Sequence, residues 1–111
     1  MEERSYFGEL ELMVILAVIG LGDDAYGVPI SREIEKHRGR MVALGSVYAA
    51  LERLEKKGMV SSHLGDPTPE RGGKAKRYFR VTEAGLREVQ KTRQALSKMW
   101  RRLPALGEKR V

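Results

Sequence analysis

Basic side chains are concentrated in one short stretch of the chain. From Glu70 to Arg80 there are five basic residues and one acid, with Gly72 and Gly73 among them. Lysine and arginine side chains near a duplex displace counterions from its phosphates, which supplies most sequence-independent affinity for nucleic acid. The alternative is a solvated loop kept soluble by its charges. We favour phosphate contact, because a capped amphipathic helix precedes the cluster, whose basic residues are Arg71, Lys74, Lys76, Arg77 and Arg80.

That helix is predicted in the stretch Gly45–Gly58. Val47, Leu51 and Leu54 recur at the i, i+4 and i+7 spacing that places apolar side chains on one helical face. Ser46 is placed to cap its start, and the final glycine is placed to end it in a left-handed turn. A helix of this build can pack one face in a core and offer the other to a DNA groove.

The rest of this helix carries the candidate DNA contacts. Ala49, Arg53 and Lys56 lie opposite the apolar stripe, and Tyr48 lies beside it. Arg53 and Lys56 reach base edges or phosphates, or they belong to a solvated face of ion pairs. Tyr48 inserts as a core aromatic or places its hydroxyl on a phosphate, and an amphipathic ring can do both. The amides near Ser46 could also receive a phosphate.

Two helices are predicted before this one. The first covers residues 8–21 and is apolar almost all round from Leu12 to Ile19, so we expect it to be buried. The second lies within Tyr26–His37, with Pro29 in its first turn and Gly39 at its end. The connector 40–44 is a loop or a brief strand that pairs with a later hairpin. The apolar run of the first helix is about half the roughly 20 residues that span a membrane, so we expect neither a membrane partner nor a signal peptide.

A hairpin and a long helix are predicted to follow. Residues 59–66 and Arg77–Val81 alternate as strands, with Phe79 and Val81 towards the core, and residues 67–76 form a loop. Thr82 caps the last helix, and Pro104 ends it.

The last helix carries an apolar seam. Its members follow at spacings of 3, 4, 3, 4 and 3, typical of helices that pair: Leu86, Val89, Arg93, Leu96, Trp100 and Leu103. The alternative is a helix that lies on its own domain through the same stripe. Arg93 sets the register of the paired helices, or its aliphatic chain packs in the seam while its guanidinium reaches water. Trp100 fills a dimer core, or it walls a cavity between subunits where a small aromatic effector could stack.

The composition narrows the class of protein. The chain has 111 residues, a formal charge of +6 and a pI near 9.8, which favours a polyanionic partner. It has no cysteine, so disulfides and thiolate metal sites are excluded, in keeping with a cytoplasmic protein. His37 and His63 are isolated, and no catalytic grouping is visible. We therefore expect no enzyme, no metal and no cofactor.

Taken together, these motifs resemble the PadR family of bacterial transcriptional regulators, in the subgroup with a short C-terminal region. The resemblance depends on Tyr26-Gly27, on Gly45-Ser-Val-Tyr48 with Leu51, Leu54 and Glu55, on Gly58-Met-Val60 and on residues 76–85. It implies a homodimer built through the terminal helix, and repression of transcription, with the third helix in the major groove and the wing near the minor groove. It also matches Tyr48 to the family's tyrosine in the third helix and Lys74–Arg77 to its basic wing. Some relatives release DNA on binding phenolic acids or flat drug-like molecules near the dimer centre, which carries over here only to Trp100.

The expected fold is mainly α (α+β): a winged helix-turn-helix in residues 1–81, a C-terminal dimerisation helix in 82–106 and a tail in 107–111. The expected function is sequence-specific binding of a palindromic operator in double-stranded DNA by the homodimer. Two alternatives remain: a winged helix used for protein contact, and a ligand-sequestering dimer centred on Trp100.

Overall fold

The computed structural model describes residues 7–66 and 75–104. The helices are α1 (Glu9–Leu21), α2 (Gly27–Arg38), α3 (Leu44–Lys56) and α4 (Glu83–Arg101), with a short 3-10 turn at Gly22–Asp24, and the strands are β1 (Val60–Leu64) and β2 (Arg77–Val81). The predicted order of three helices, a hairpin and a long helix is confirmed. None of the described helices is both long and apolar enough to cross a membrane.

The core is built around α1, which packs against α2, α3 and β2. Val14 and Ile15 of α1 are fully buried, as are Ile30 of α2 and Leu54 of α3, while Leu51 is 1% exposed. Burial of one such side chain contributes about 1.5–3 kcal/mol to folding. The apolar stripe predicted for α3 is therefore the face that holds this helix on the domain.

Two glycines end helices in the predicted way. Gly39 follows α2 with φ 82°, and Gly58 follows α3 with φ 78°. Only glycine adopts this left-handed conformation without strain, and it lets the chain reverse directly after the last turn. Met59 N–H then donates to the Leu54 carbonyl at 2.9 Å, which closes the end of α3 and directs the chain into β1.

The start of α3 differs from the prediction. Ala43 is the residue that precedes the helix, in an extended conformation, and its carbonyl accepts from the N–H groups of Ser46 and Val47 at 3.0 and 3.2 Å. Ser46 is the third helical residue and does not cap the helix, so that prediction is wrong. The reason is that Leu44 already has helical geometry, which places the residue before the helix at Ala43, three residues before Ser46.

The connector between α2 and α3 is a loop, so the first of the two alternatives for residues 40–44 is found and the brief strand is not. The described sheet contains β1 and β2 alone. The Ser31 hydroxyl donates to the Val42 carbonyl at 3.0 Å, so the connector is held against α2 and not against the hairpin.

The two strands pair antiparallel, with Val60 opposite Val81 and Leu64 opposite Arg77. Phe79 is buried, as predicted, and its N–H donates to the Ala25 carbonyl at 2.8 Å, which fixes the hairpin to the segment between α1 and α2. Leu64 is 60% exposed, because the far end of the hairpin extends beyond the core.

The long helix α4 contacts the domain through its first two turns. The Thr82 hydroxyl accepts from Gly85 N–H at 3.0 Å, as predicted for a cap, and donates to the Gly58 carbonyl at 2.7 Å. Gly85 and Val89 are its buried residues, and none of the described residues after Val89 is buried. The division of the chain at residue 82 stays a prediction.

Candidate nucleic-acid interface

The exposed face of α3 is a stripe of four residues at i, i+4, i+7 and i+11. Gly45, Ala49, Glu52 and Lys56 are all exposed on it, opposite the buried stripe. This places Ala49 where the sequence predicted it. Glu52 was missed as a candidate contact, although the same helical period that selected Ala49 would have found it. Glu52 and Lys56 are both exposed, and the ion pairs found among the described residues do not join them.

Tyr48 stands between the core and the solvent. Its side chain is 44% exposed, and its hydroxyl and ring lie directly against Gly27, the first residue of α2. A Cβ atom at Gly27 would collide with the Tyr48 ring, so the glycine is what lets the ring lie here. Both predicted roles for Tyr48, apolar packing and an accessible hydroxyl, are compatible with this position.

Arg53 lies at the α1 edge of α3 and is bonded to a buried carboxylate. Its Nε donates to Glu11 Oε2 at 2.8 Å, while Lys57 Nζ donates to Glu11 Oε1 at 2.8 Å and Gly8 N–H donates to the same oxygen at 3.2 Å. Glu11 is 6% exposed, whereas the Arg53 side chain is 52% exposed. Arg53 therefore connects the inside of the domain to its surface.

The carboxylate of Glu11 is stabilised in its charged form. Burial by itself raises the pKa of Glu11, but the hydrogen bonds from Lys57, Arg53 and Gly8 outweigh burial and hold the pKa below its ordinary value. Nothing in the local sequence pattern pairs a residue of α1 with the end of α3, so this cluster was not predicted.

The end of the hairpin next to its loop is bonded to α3. Arg77 Nη1 donates to Ser62 Oγ at 3.0 Å, and Ser62 Oγ donates to Glu55 Oε2 at 2.8 Å. Lys76 Nζ lies 4.1 Å from the centroid of the Tyr26 ring. Arg71 and Lys74, the remaining predicted wing contacts, lie outside the described residues.

A groove of about 540 Å³ lies between α3 and the loop end of the hairpin strands and brings three predicted DNA-binding residues together. Ser46, Ala49 and Arg53 lie elsewhere on α3, outside this groove. The residues that line it are Tyr26, Val28, Tyr48, Leu64, Ala75, Lys76 and Arg77. The groove thus places aromatic rings beside basic side chains, and tyrosine, lysine and arginine side chains are among those that contact the phosphates of a duplex.

The predicted seam of α4 is largely uncovered in the single chain. Leu86, Leu96, Trp100 and Leu103 are 40–66% exposed, Arg93 is exposed, and Val89 alone among the seam residues is buried against the domain. The site for an aromatic effector at Trp100 stays a prediction.

Comparison with solved structures shows the same architecture. A PadR family transcriptional regulator from Eggerthella lenta superposes with a TM-score of 0.69 at 25% identity, over 92% of this chain and 88% of that one. A PadR family transcription regulator from Clostridium difficile R20291 gives a TM-score of 0.68 at 20% identity, over 85% and 93% of the two chains. The predicted winged helix-turn-helix with a long C-terminal helix is therefore confirmed.

Sequence comparison identifies the family. Uncharacterized protein X of Lysinibacillus sphaericus is 38% identical over 74 residues, which make up 65% of this chain and 64% of that protein's length. Residues 15–91 match the model of the transcriptional regulator PadR-like family, whose members are regulators and not enzymes. Because this match covers more than half of the chain, the protein belongs to the PadR-like family of transcriptional regulators.

Proposed function

We propose that the protein is a homodimeric repressor that binds a palindromic operator in double-stranded DNA. Family membership implies DNA binding, and the observation that carries the proposal is the build of α3. This helix buries Val47 and Leu51 in the core and leaves its opposite stripe exposed beside a groove that contains Lys76 and Arg77. A helix with one free face and neighbouring cations fits the major groove of a duplex.

The exposed stripe of α3 supplies the base contacts in this proposal. The Ala49 methyl group suits the methyl group of thymine, the Glu52 carboxylate accepts from the amino group of cytosine, and Lys56 donates to guanine. Ser46 and Arg53, at the edge of the same face, contact phosphates.

The hairpin side supplies the remaining phosphate contacts. Tyr48, Lys76 and Arg77 line one groove, and the sequence just before Lys76 adds two further basic residues, Arg71 and Lys74. Phosphate contacts set the register of the protein on the duplex, and base contacts set the sequence that it reads.

A second copy of the chain is proposed to cover α4. Its seam leaves Leu96 and Trp100 48% and 66% exposed, which is costly for a lone chain in water. On α1, Leu16 is also 48% exposed, beside an apolar groove of about 290 Å³ between α1 and α2 that can seat the partner's α4. A twofold dimer of this kind places its two α3 helices about 34 Å apart, which is one turn of DNA. The proposed place of action is the cytoplasm. An aromatic effector at Trp100 would bind in the same interface.

Selection of bound duplexes from a random pool tests the proposal directly. We expect the selected sequences to be inverted repeats with half-site centres about 10 base pairs apart. Placing a selected sequence over a promoter should then lower reporter expression when the protein is present. Failure to shift any duplex, selected or random, at low salt would overturn DNA binding itself.

Replacing Lys74 and Arg77 together by alanine should weaken binding to every duplex. Loss of two phosphate contacts lowers the slope of log K against log salt by about 1.8 and reduces affinity roughly tenfold or more near 0.1 M salt. A salt titration with selected and random duplexes measures both effects. An unchanged slope would remove the hairpin from the interface.

Leu96→Glu should disrupt the dimer. The substitution places a carboxylate in the apolar seam, where burial without a partner is strongly unfavourable, so the dimer dissociation constant should rise at least roughly tenfold. Light scattering across a concentration series measures it, with Gln94→Glu, on the polar side of α4, as the matched control. If both variants dimerise like the unmodified protein, the seam does not form the interface.

A further inference from the structure

The ammonium of Lys76 is held by an aromatic ring and by no described carboxylate. Its Nζ lies 4.1 Å from the centroid of Tyr26, and within residues 7–66 and 75–104 it forms no ion pair. The next residue differs, because the guanidinium of Arg77 donates to Ser62, which is itself bonded to Glu55. A cation over a ring face is attracted by the ring quadrupole and keeps donors on its other side for an acceptor.

The Tyr26 ring is itself fixed in place. Tyr26 precedes the first residue of α2, and its N–H donates to the Asp24 carbonyl at 3.1 Å while its own carbonyl accepts from Ile30 at 3.1 Å. The Tyr26 ring packs edge-on against the Tyr78 ring, with centroids 5.3 Å apart and an angle of 63° between the ring planes. The ring is therefore a rigid platform between α2 and the hairpin.

The backbone that carries Lys76 is fixed as well. Its carbonyl accepts from Gly65 N–H at 2.7 Å across the hairpin, and Gly65 lies against the ring of Tyr78, where any Cβ would collide. Tyr78 in turn stacks on His63, with centroids 5.8 Å apart. Because the Tyr26 ring and the Lys76 backbone are both held, the flexible part of the contact is the four-carbon side chain of Lys76.

This contact lies in the wall of the groove beside α3. Tyr26, Tyr48 and Lys76 all line that groove. A free lysine stem loses rotational freedom when its ammonium binds a phosphate, and a side chain already held in its bound position loses less.

We propose that Tyr26 is a positioning residue for DNA binding, whose ring holds the Lys76 ammonium at the groove between α3 and the hairpin to receive one backbone phosphate. This inference rests on the proposed DNA-binding function. It adds Tyr26, an uncharged residue, to the residues that determine the affinity for DNA. The phosphate is bound by Lys76, and Tyr26 acts through Lys76.

A double-mutant cycle on a selected duplex tests the coupling, using the full-length chain with Tyr26→Leu, Lys76→Gln and the two combined. Lys76→Gln should lower the salt slope by about 0.9. Tyr26→Leu should weaken binding about two- to fivefold, the range of an exposed cation–π contact. In the Lys76→Gln background, Tyr26→Leu should have no further effect on affinity. Equal effects of Tyr26→Leu in both backgrounds would overturn the inference.

Fluorinated phenylalanines at position 26 provide a second measurement that does not depend on the Tyr26→Leu variant being folded. Successive fluorine atoms keep the shape of the ring and withdraw negative charge from its face. Affinity for the duplex should therefore fall stepwise when residue 76 is lysine and stay constant in the Lys76→Gln variant. A flat series with Lys76 present would also overturn the inference. If the unmodified protein binds no duplex at low salt, the DNA-binding proposal itself fails, which is a separate result.

Discussion

Gly85→Ala is expected to destabilise the fold by about 3 kcal/mol, a large effect for one methyl group. A Cβ atom at Gly85 would collide with the carbonyl oxygen of Met59 and would lie 2.9 and 3.1 Å from its carbonyl carbon and Cα. These are backbone atoms and cannot rotate away. The same carbonyl accepts from Thr82 N–H at 3.0 Å, so relief of the collision would also break the start of α4. Urea unfolding measures the change.

The matched control is Gly45→Ala, which makes the same chemical change in a helix with open space. Nothing lies within 4 Å of a Cβ atom at Gly45. Alanine is favoured over glycine in a helix, so this variant should be more stable by up to about 1 kcal/mol. If the two variants have the same stability, α4 does not dock on Met59 through Gly85.

Glu11→Gln is expected to destabilise the protein by about 2 kcal/mol at pH 7, since it leaves two cations and one N–H group with a neutral partner. This loss of stability is smaller than that for a fully buried ion pair, because the Arg53 side chain is 52% exposed and solvent screens its charge. Chemical denaturation measures the change. Glu9→Gln is the control, since Glu9 is 73% exposed and its pair with Arg38 spans 3.4 Å, and we expect it to change little.

The Glu11 effect should depend on pH in a defined direction. The folded protein holds the pKa of Glu11 below its ordinary value, so the charged form is favoured by folding. The stabilisation is fully present above the unfolded pKa of about 4.3 and is lost as the pH falls through the lower folded pKa. The stability difference between the unmodified protein and Glu11→Gln should therefore be constant from pH 6 to 7 and shrink below pH 4. A difference that grows in acid would contradict this assignment.

Two features of the site show where sequence reasoning was incomplete. Tyr48 was predicted beside the apolar stripe of α3, either in the core or at its margin, and helical periodicity alone does not tell that its ring rests on Gly27. Arg53 was assigned to the exposed face alone, whereas its Nε is bonded to a carboxylate 42 residues earlier in the chain. In both cases the partner belongs to another helix, so its identity depends on how the helices pack.

The sequence by itself determined the features that depend on neighbouring residues. The buried stripe of α3, the Thr82 cap and the glycine turns at Gly39 and Gly58 follow from helical period and local backbone preference, and each is found in the structure. Tertiary structure decided the long-range pairs, namely Glu11 with Arg53 and Tyr26 with Lys76. The reason is physical: a period tells which side chains share a face, but the packing of separate elements decides which polar group or ring each face meets.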